Sequence, residues 1–445
     1  MERLATGYGQ RATNKDKGES VQKYSTGGAG ETRPRRLLLC LDGVPYEIIK
    51  AAQARGLFAR FNEPAGLLSP FPTMTNIALS TMLGATPPLG YESLYFDRDR
   101  QELCGGVRKY IGRRTPDKVP SSYMDELDYQ EPLPFEFLVY VAPDAVWRAD
   151  MRRFRERFRR APHSRDFFAF LKGTDGLLHI RGPQKLHVAL QSLDQILTEI
   201  QDVCGAETEI VLFSDHGMNL EENRKIHLQT HLRASGYEVK DRFERGRGAH
   251  SIAAPAFGLC GYAAIYCADE TDPATVADAL TTLEGVDFSL YREGARTIVV
   301  RGARGTARVR CEMNGHTRYS YEKLTGDPLQ LAGVQRALYD AGELDARGFA
   351  SDTSWYAQTA GHMYPDALAN LFQSLHAPRV RHTADVLVSC HDGYYYGASL
   401  FSRLTRLAAT HGNALRASTT AFLMSTHRQF PAHVRAGEAR PFLRE

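Results

Sequence analysis

No stretch of this 445-residue chain approaches the roughly 20 apolar residues that a membrane-spanning helix needs. Nor is there an excess of one charge: 55 lysines and arginines face 52 aspartates and glutamates, a net charge of +3. That balance gives no reason to expect nucleic acid or an anionic membrane as the main partner. Cysteine is sparse and unpatterned. The seven (Cys40, Cys104, Cys204, Cys260, Cys267, Cys311 and Cys390) are odd in number and never form a CxxC. Several sit inside apolar runs such as LLLCLDG and VLVSCHD, where a thiol behaves as a small hydrophobe. They read as reduced core thiols of a cytoplasmic protein, against a disulfide framework or a zinc–thiolate site. The N-terminus has no apolar core of a secretory signal, and the chain has no internal repeat.

What is there is the composition of a globular protein, 43% hydrophobic and 24% charged. Residues 1–34 are polar and Gly-rich and read as a disordered tail. Order begins at RRLLLCLDG, an apolar run read as a buried parallel strand ending at Asp42-Gly43. Helical spacing follows in PYEIIKAAQARGLFARF and again in IALSTMLGA, while DAVWRADMRRFRERFRR is a basic amphipathic helix. RDFFAFLKGTDG, QKLHVALQSLDQILTEI and EIVLFSDHG read as strand, helix and strand. Such alternation predicts an α/β fold with a central, mostly parallel sheet flanked by helices. Residues 258–345 differ, with a strand, a helix and a hairpin at TIVVRGARGTARVRCE, and read as a smaller α+β insertion or cap. The catalytic domain is then 35–257 plus 346–445, with ADVLVSCHDG and AFLMST as its later strands.

Open α/β sheets place ligands beyond the carboxyl ends of their strands. Three apolar strands here lead into an aspartate: Asp42, Asp175 and Asp215. Asp175 is followed by His179 in DGLLH, Asp215 by His216, and His411 lies in a late THG. Mixed oxygen and nitrogen donors suit Zn²⁺ or Mn²⁺ better than Ca²⁺. Thr75, in PFPTMTN where a turn becomes a helix, is the nucleophile candidate and Thr73 its nearest competitor. A helix N-terminus favours an anion there, although a threonine at that position is also a common N-cap.

In order, these pieces resemble the alkaline phosphatase superfamily in its type I phosphodiesterase/nucleotide pyrophosphatase branch. LLLCLDG resembles the first metal-binding strand, PTMTNIALSTMLGATPP the nucleophile segment, TDGLLH a D-x-x-x-H motif, VLFSDHGM the S-D-H-G-M motif and ATHGN the late T-H-G. The resemblance implies that Asp42, Thr75, Asp215 and His216 hold one metal ion and Asp175, His179 and His411 the other. It implies two divalent ions, zinc foremost with manganese as the alternative, and a phosphodiesterase acting on a nucleotide-like phosphate ester through a phosphothreonine. A phosphomonoesterase of the same superfamily is the rival enzyme, and a metal-binding or ligand-sensing protein the rival of another class. No C/S-x-P-x-R motif of a sulfatase is present, and the cofactor-independent mutases use serine.

The chain departs from the family pattern around the nucleophile. Asn76-Ile77 stand where the pattern carries Pro, and Leu89-Gly90 replace its HG. GYESLYFDR offers no Asn to hold a phosphoryl oxygen, which leaves Asn76 or Arg108 as candidates. His391 in SCHDGYYYG is a third substrate-binding candidate, and the three tyrosines after it read as a partly buried loop or as a stacking surface. His227 and His231 read as a solvent-facing pair on one helix face, and RGRG at 245–248 as an exposed basic loop.

Overall fold

The computed structural model describes residues 35–106, 119–139, 141–244, 250–377, 379–398 and 407–444. The tail assigned to 1–34, Arg108 and the RGRG loop lie outside these.

The apolar runs become the strands of a seven-stranded sheet. Its order is His433–Arg435, Ala65–Leu68, Thr420–Ser425, Ile210–Ser214, Leu37–Leu41, Phe167–Leu171, Tyr129–Gln130. Four of its pairings are parallel, and only Thr420–Ser425 runs against its two neighbours. The α/β class with a mostly parallel sheet therefore holds. Leu37–Leu41 is buried along its whole length between two parallel partners, which is why it reads as a continuous apolar run. Its register pairs Leu41 with Leu171 on one side and with Ser214 on the other. Three strands consequently end level, and the chain leaves all of them at one edge.

Helices cover both faces of this sheet. The basic helix Pro143–Arg160 buries Val146, Trp147, Met151, Phe154 and Phe158 and packs on the long helix Gly173–Cys204, which is kinked at Gly182. The segment that carries Thr75 forms the helix Thr75–Leu83, closed by Gly84 in the left-handed conformation.

A second sheet of nine strands, almost all antiparallel, runs from Phe349–Ser351 through the long pair His316–Gly326 and Gly305–Asn314 to Glu238–Val239. It includes the hairpin read at 297–312, and it draws strands from outside 258–345 on both sides. Val386–Cys390 is one of them. It reads from sequence as a strand of the catalytic sheet, yet it pairs with Val286–Gly294 and Tyr262–Cys267. YYYG is likewise a strand, Tyr394–Gly397, not a loop, with Tyr395 and Tyr396 buried. His227 precedes the helix Leu228–Ala234, and His231 Nε2 contacts the Ala279 carbonyl at 2.8 Å, so the two do not form a solvent-facing pair. All seven cysteines are free thiols. No helix among the described residues is long and apolar enough to cross a membrane.

Candidate metal centre

The level strand ends explain why residues so distant in sequence meet. Asp42 follows Leu41 directly, and Asp215 and His216 follow Ser214. Asp175 comes not from a strand tip but from the first turn of the helix after Phe167–Leu171, where one helical turn brings His179 beneath it. Gly43 turns the chain sharply, with φ +72°, and donates its N–H to Asp215 Oδ1 at 3.1 Å. A Cβ there would lie 3.0 Å from Met218 Cε and 3.3 Å from Asp175 Oδ1, so the site is built around the missing side chain.

Two compact groups result: Asp42 with Asp215 and His216, and Asp175 with His179 and His411, all buried. His179 Nε2 lies 3.1 Å and His411 Nε2 3.7 Å from Asp175 Oδ1. His216 Nε2 is 3.5 Å from Asp42 Oδ1 and 3.4 Å from Asp215 Oδ2. The rings of His216 and His411 stack with centroids 4.0 Å apart, joining the groups.

The imidazole tautomers can be assigned from their partners. Each Nδ1 meets a backbone carbonyl: Ala409 for His179 (2.8 Å), Gly217 for His216 (2.9 Å) and Thr73 for His411 (2.7 Å). A carbonyl only accepts, so Nδ1 carries the proton and Nε2 turns its lone pair into the site, the arrangement of metal-ligating histidines. Beside them, Asp42 Oδ2, Asp175 Oδ1 and Asp215 Oδ2 are buried with no hydrogen bond among the described residues. Electron pairs from six side chains converge where water is excluded, which is tolerable only around positive charge. Burial, reinforced by its neighbour Asp215, pushes Asp42 well above the carboxylate range, and burial lifts Asp215 to about 6. Burial holds His216 down near 4 and His411 near 3. Burial would also lower His179, but the Asp175 carboxylate beside it overcomes that and raises its pKa. The donor set fits divalent ions.

A third group, Asp97, Asp99 and His382, fails the same test. His382 Nδ1 accepts the Arg98 N–H at 3.2 Å, so its proton lies on Nε2, and Asp97 Oδ1 is taken up by the N–H groups of Asp99 and Arg100.

Thr75 is the first residue of its helix. It is not the N-cap, which is Met74 with no side-chain bond. Its hydroxyl is thereby free to point into the first group, 3.3 Å from Asp42 Oδ1 and 3.3 Å from His216 Nε2. Thr73 is fully buried and turned away, bonded to the Gly412–Asn413 backbone. Asn76 donates from Nδ2 to the Gly90 carbonyl at 3.2 Å, and its Oδ1 accepts the Ile77 N–H. His391 is half-exposed, with Nδ1 3.6 Å from the buried Asp287, which also binds Tyr364 and Arg304. Sequence reasoning missed Asp150, buried inside the basic helix and bonded by Tyr129. Its only signal is a carboxylate on the helix's apolar stripe.

Residues 103–323 match the family described as type I phosphodiesterase/nucleotide pyrophosphatase, which bears out the resemblance carried by the motifs. The matched segment contains Asp175, His179, Asp215 and His216, and the family is one of phosphoric ester hydrolases. No curated protein matches. Among solved structures, the chain is similar to phosphonoacetate hydrolase from Sinorhizobium meliloti 1021 in complex with phosphonoformate. The two share 13% identity over 93% of this chain and 95% of that one, with a TM-score of 0.48. It is also similar to human ectonucleotide pyrophosphatase/phosphodiesterase 5, at 12% identity over 92% and 93% of the two chains, TM-score 0.47. The murine counterpart in complex with AMP has 12% identity over 92% and 94%, TM-score 0.44.

Proposed function

We propose that this relative of the type I phosphodiesterases is a two-metal phosphodiesterase that transfers the phosphoryl group through Thr75. The observation that carries the reading is the convergence of three Nε2 atoms and of three carboxylate oxygens that have no hydrogen bond among the described residues, beside one helix-terminal hydroxyl. Asp42, Asp215 and His216, with Thr75, would hold one ion, and Asp175, His179 and His411 the other. Zinc suits three imidazole and three carboxylate donors, with manganese as the alternative. Bound divalent ions would supply the charge that makes a hydroxyl nucleophilic at neutral pH and steadies the departing oxygen.

The protein's own part is positional. Thr75, held between Asp42 and His216, has its oxygen fixed for attack along one line. Its bond to phosphorus forms as the bond to the leaving alcohol or nucleotide oxygen breaks. The hydroxyl proton is carried off on that leaving oxygen, and water then cleaves the threonine ester, releasing the remaining phosphomonoester and restoring the hydroxyl. The N-terminus of the Thr75–Leu83 helix, with its partial positive charge, would favour a phosphate bound beside Thr75.

The test is turnover by zinc- and manganese-loaded protein. Hydrolysis of bis-p-nitrophenyl phosphate, lost on chelation and restored by metal, is expected. Turnover of p-nitrophenyl phosphate alone would make the protein a monoesterase, and metal uptake without turnover of either would make it a sensor.

A further inference from the structure

We propose that Thr73 is a positioning residue: it latches the loop carrying His411 to the loop carrying Thr75 and so sets the spacing between the two groups. The purpose of that spacing rests on the phosphodiesterase reading; the latch itself does not.

One residue makes four hydrogen bonds to three consecutive residues of a distant loop. The Thr73 N–H donates to the Gly412 carbonyl at 3.3 Å. Its Oγ1 accepts the Gly412 N–H at 2.8 Å and donates to the Asn413 carbonyl at 3.3 Å. Its carbonyl accepts His411 Nδ1 at 2.7 Å. Two residues later Thr75 touches Asp42 and His216 of the other group. Residues 73–75 are therefore a three-residue bridge between the two candidate metal positions.

Both ends of the bridge are anchored elsewhere. Phe71 donates its N–H to Asn370 Oδ1 at 2.8 Å, and its carbonyl accepts from the Arg379 guanidinium at 2.6 Å. Across the latch, Asn413 Nδ2 donates to Asp392 Oδ1 at 2.9 Å and the Ala414 N–H to Ser389 Oγ at 3.1 Å. A Cβ on Gly412 would meet Tyr262 Cδ1 at 2.9 Å, so the loop is packed from behind as well. The position needs a hydroxyl, because only that group both accepts from Gly412 and donates to Asn413. Valine keeps the shape and does neither, leaving a buried N–H and a buried carbonyl unpaired. The loop then has reason to shift, and His411 goes with it.

The experiment compares Zn²⁺ binding stoichiometry and affinity, and the Co²⁺ absorption spectrum, in the unaltered protein, Thr73→Val and Thr73→Ser. Thr73→Val should hold one equivalent normally and the other about 10- to 100-fold more weakly, in line with the loss of other orienting partners of metal ligands. Thr73→Ser should restore both. Thr73→Ala, which removes the same hydroxyl without bulk, replaces the valine variant if that one does not fold. Unchanged affinity for both equivalents in the valine or alanine variant overturns the latch, as does a serine variant equally impaired. If the unaltered protein takes up no divalent ion, it is the phosphodiesterase reading that falls. The latch is then read without metal from imidazole ¹⁵N shifts: His411 should be the Nδ1–H tautomer in the unaltered protein and Thr73→Ser, and mixed in Thr73→Val. An unmixed tautomer in Thr73→Val overturns it.

Discussion

The Thr75 hydroxyl oxygen stands 3.3 Å from Asp42 Oδ1, although 33 positions separate the two residues in the chain. Replacing Thr75 by Ala should leave zinc uptake nearly intact and reduce turnover by about 10³-fold or more, as loss of a covalent nucleophile does. Thr75→Ser should keep measurable activity. Steady-state kinetics on the metal-loaded variants checks both, and near-normal turnover in Thr75→Ala would remove the covalent step.

Gly43 offers a second test. Alanine there must adopt φ near +72° and place a methyl 3.0 Å from Met218 and 3.4 Å from the His216 ring. Backbone strain of about 1–3 kcal/mol is expected, together with weaker zinc binding, because the same turn carries the N–H that Asp215 accepts. Chemical denaturation with and without metal would separate the two effects. A variant as stable and as metal-avid as the parent would contradict the close packing.

The two candidate positions were largely legible in the sequence, because Asp42 and Asp215 follow apolar runs directly, Asp175 follows one after a short turn, and His179 and His216 come within four residues of an aspartate. A single aspartate after a strand is common in turns, and it is the ordered set in LLLCLD, TDGLLH and VLFSDH that points to a shared site. The hydrogen bonds of Thr73 were not legible, since they span 338 to 340 residues and no local pattern encodes them. The extent of the second sheet was hidden for another reason. Glu238–Val239, Ser251–Ala253 and Phe349–Ser351 are too short to show a period of two, and Val386–Cys390, buried on both faces, has the same apolar look as a parallel core strand.

Removal of metal should loosen the fold as well as stop the reaction. Asp42, Asp175 and Asp215, each with one oxygen that has no hydrogen bond among the described residues, crowd three buried carboxyl groups together at the edge of the central sheet. A chelator should lower the melting temperature by several degrees, and Zn²⁺ should restore it in a concentration-dependent way, as binding to the native state alone requires. Differential scanning calorimetry provides the readout, and a melting temperature indifferent to both would argue against a resident ion.

Asp150 predicts a pH effect away from the site. Burial, with the charge of Glu131 behind it, raises this carboxyl to about 8, against the ordinary value of 3.8 in an unfolded chain. Between those values the native state holds a proton that the unfolded state has lost. The stabilising contribution is thus complete below about pH 4 and is lost as the pH rises toward 8. Asp150→Asn, which cannot ionise, should flatten this decline in thermal melts between pH 5 and 9. An identical slope in the variant would place the decline elsewhere.

The donors that meet at the level ends of three parallel strands are also synthesised in a fixed order. Asp42, Asp215 and His216 are all present once the chain has been synthesised to residue 216. The partner group has Asp175 and His179 by then but waits for His411, which arrives only after the second sheet has been made. A ribosome-bound chain therefore carries one complete set of donors long before the other.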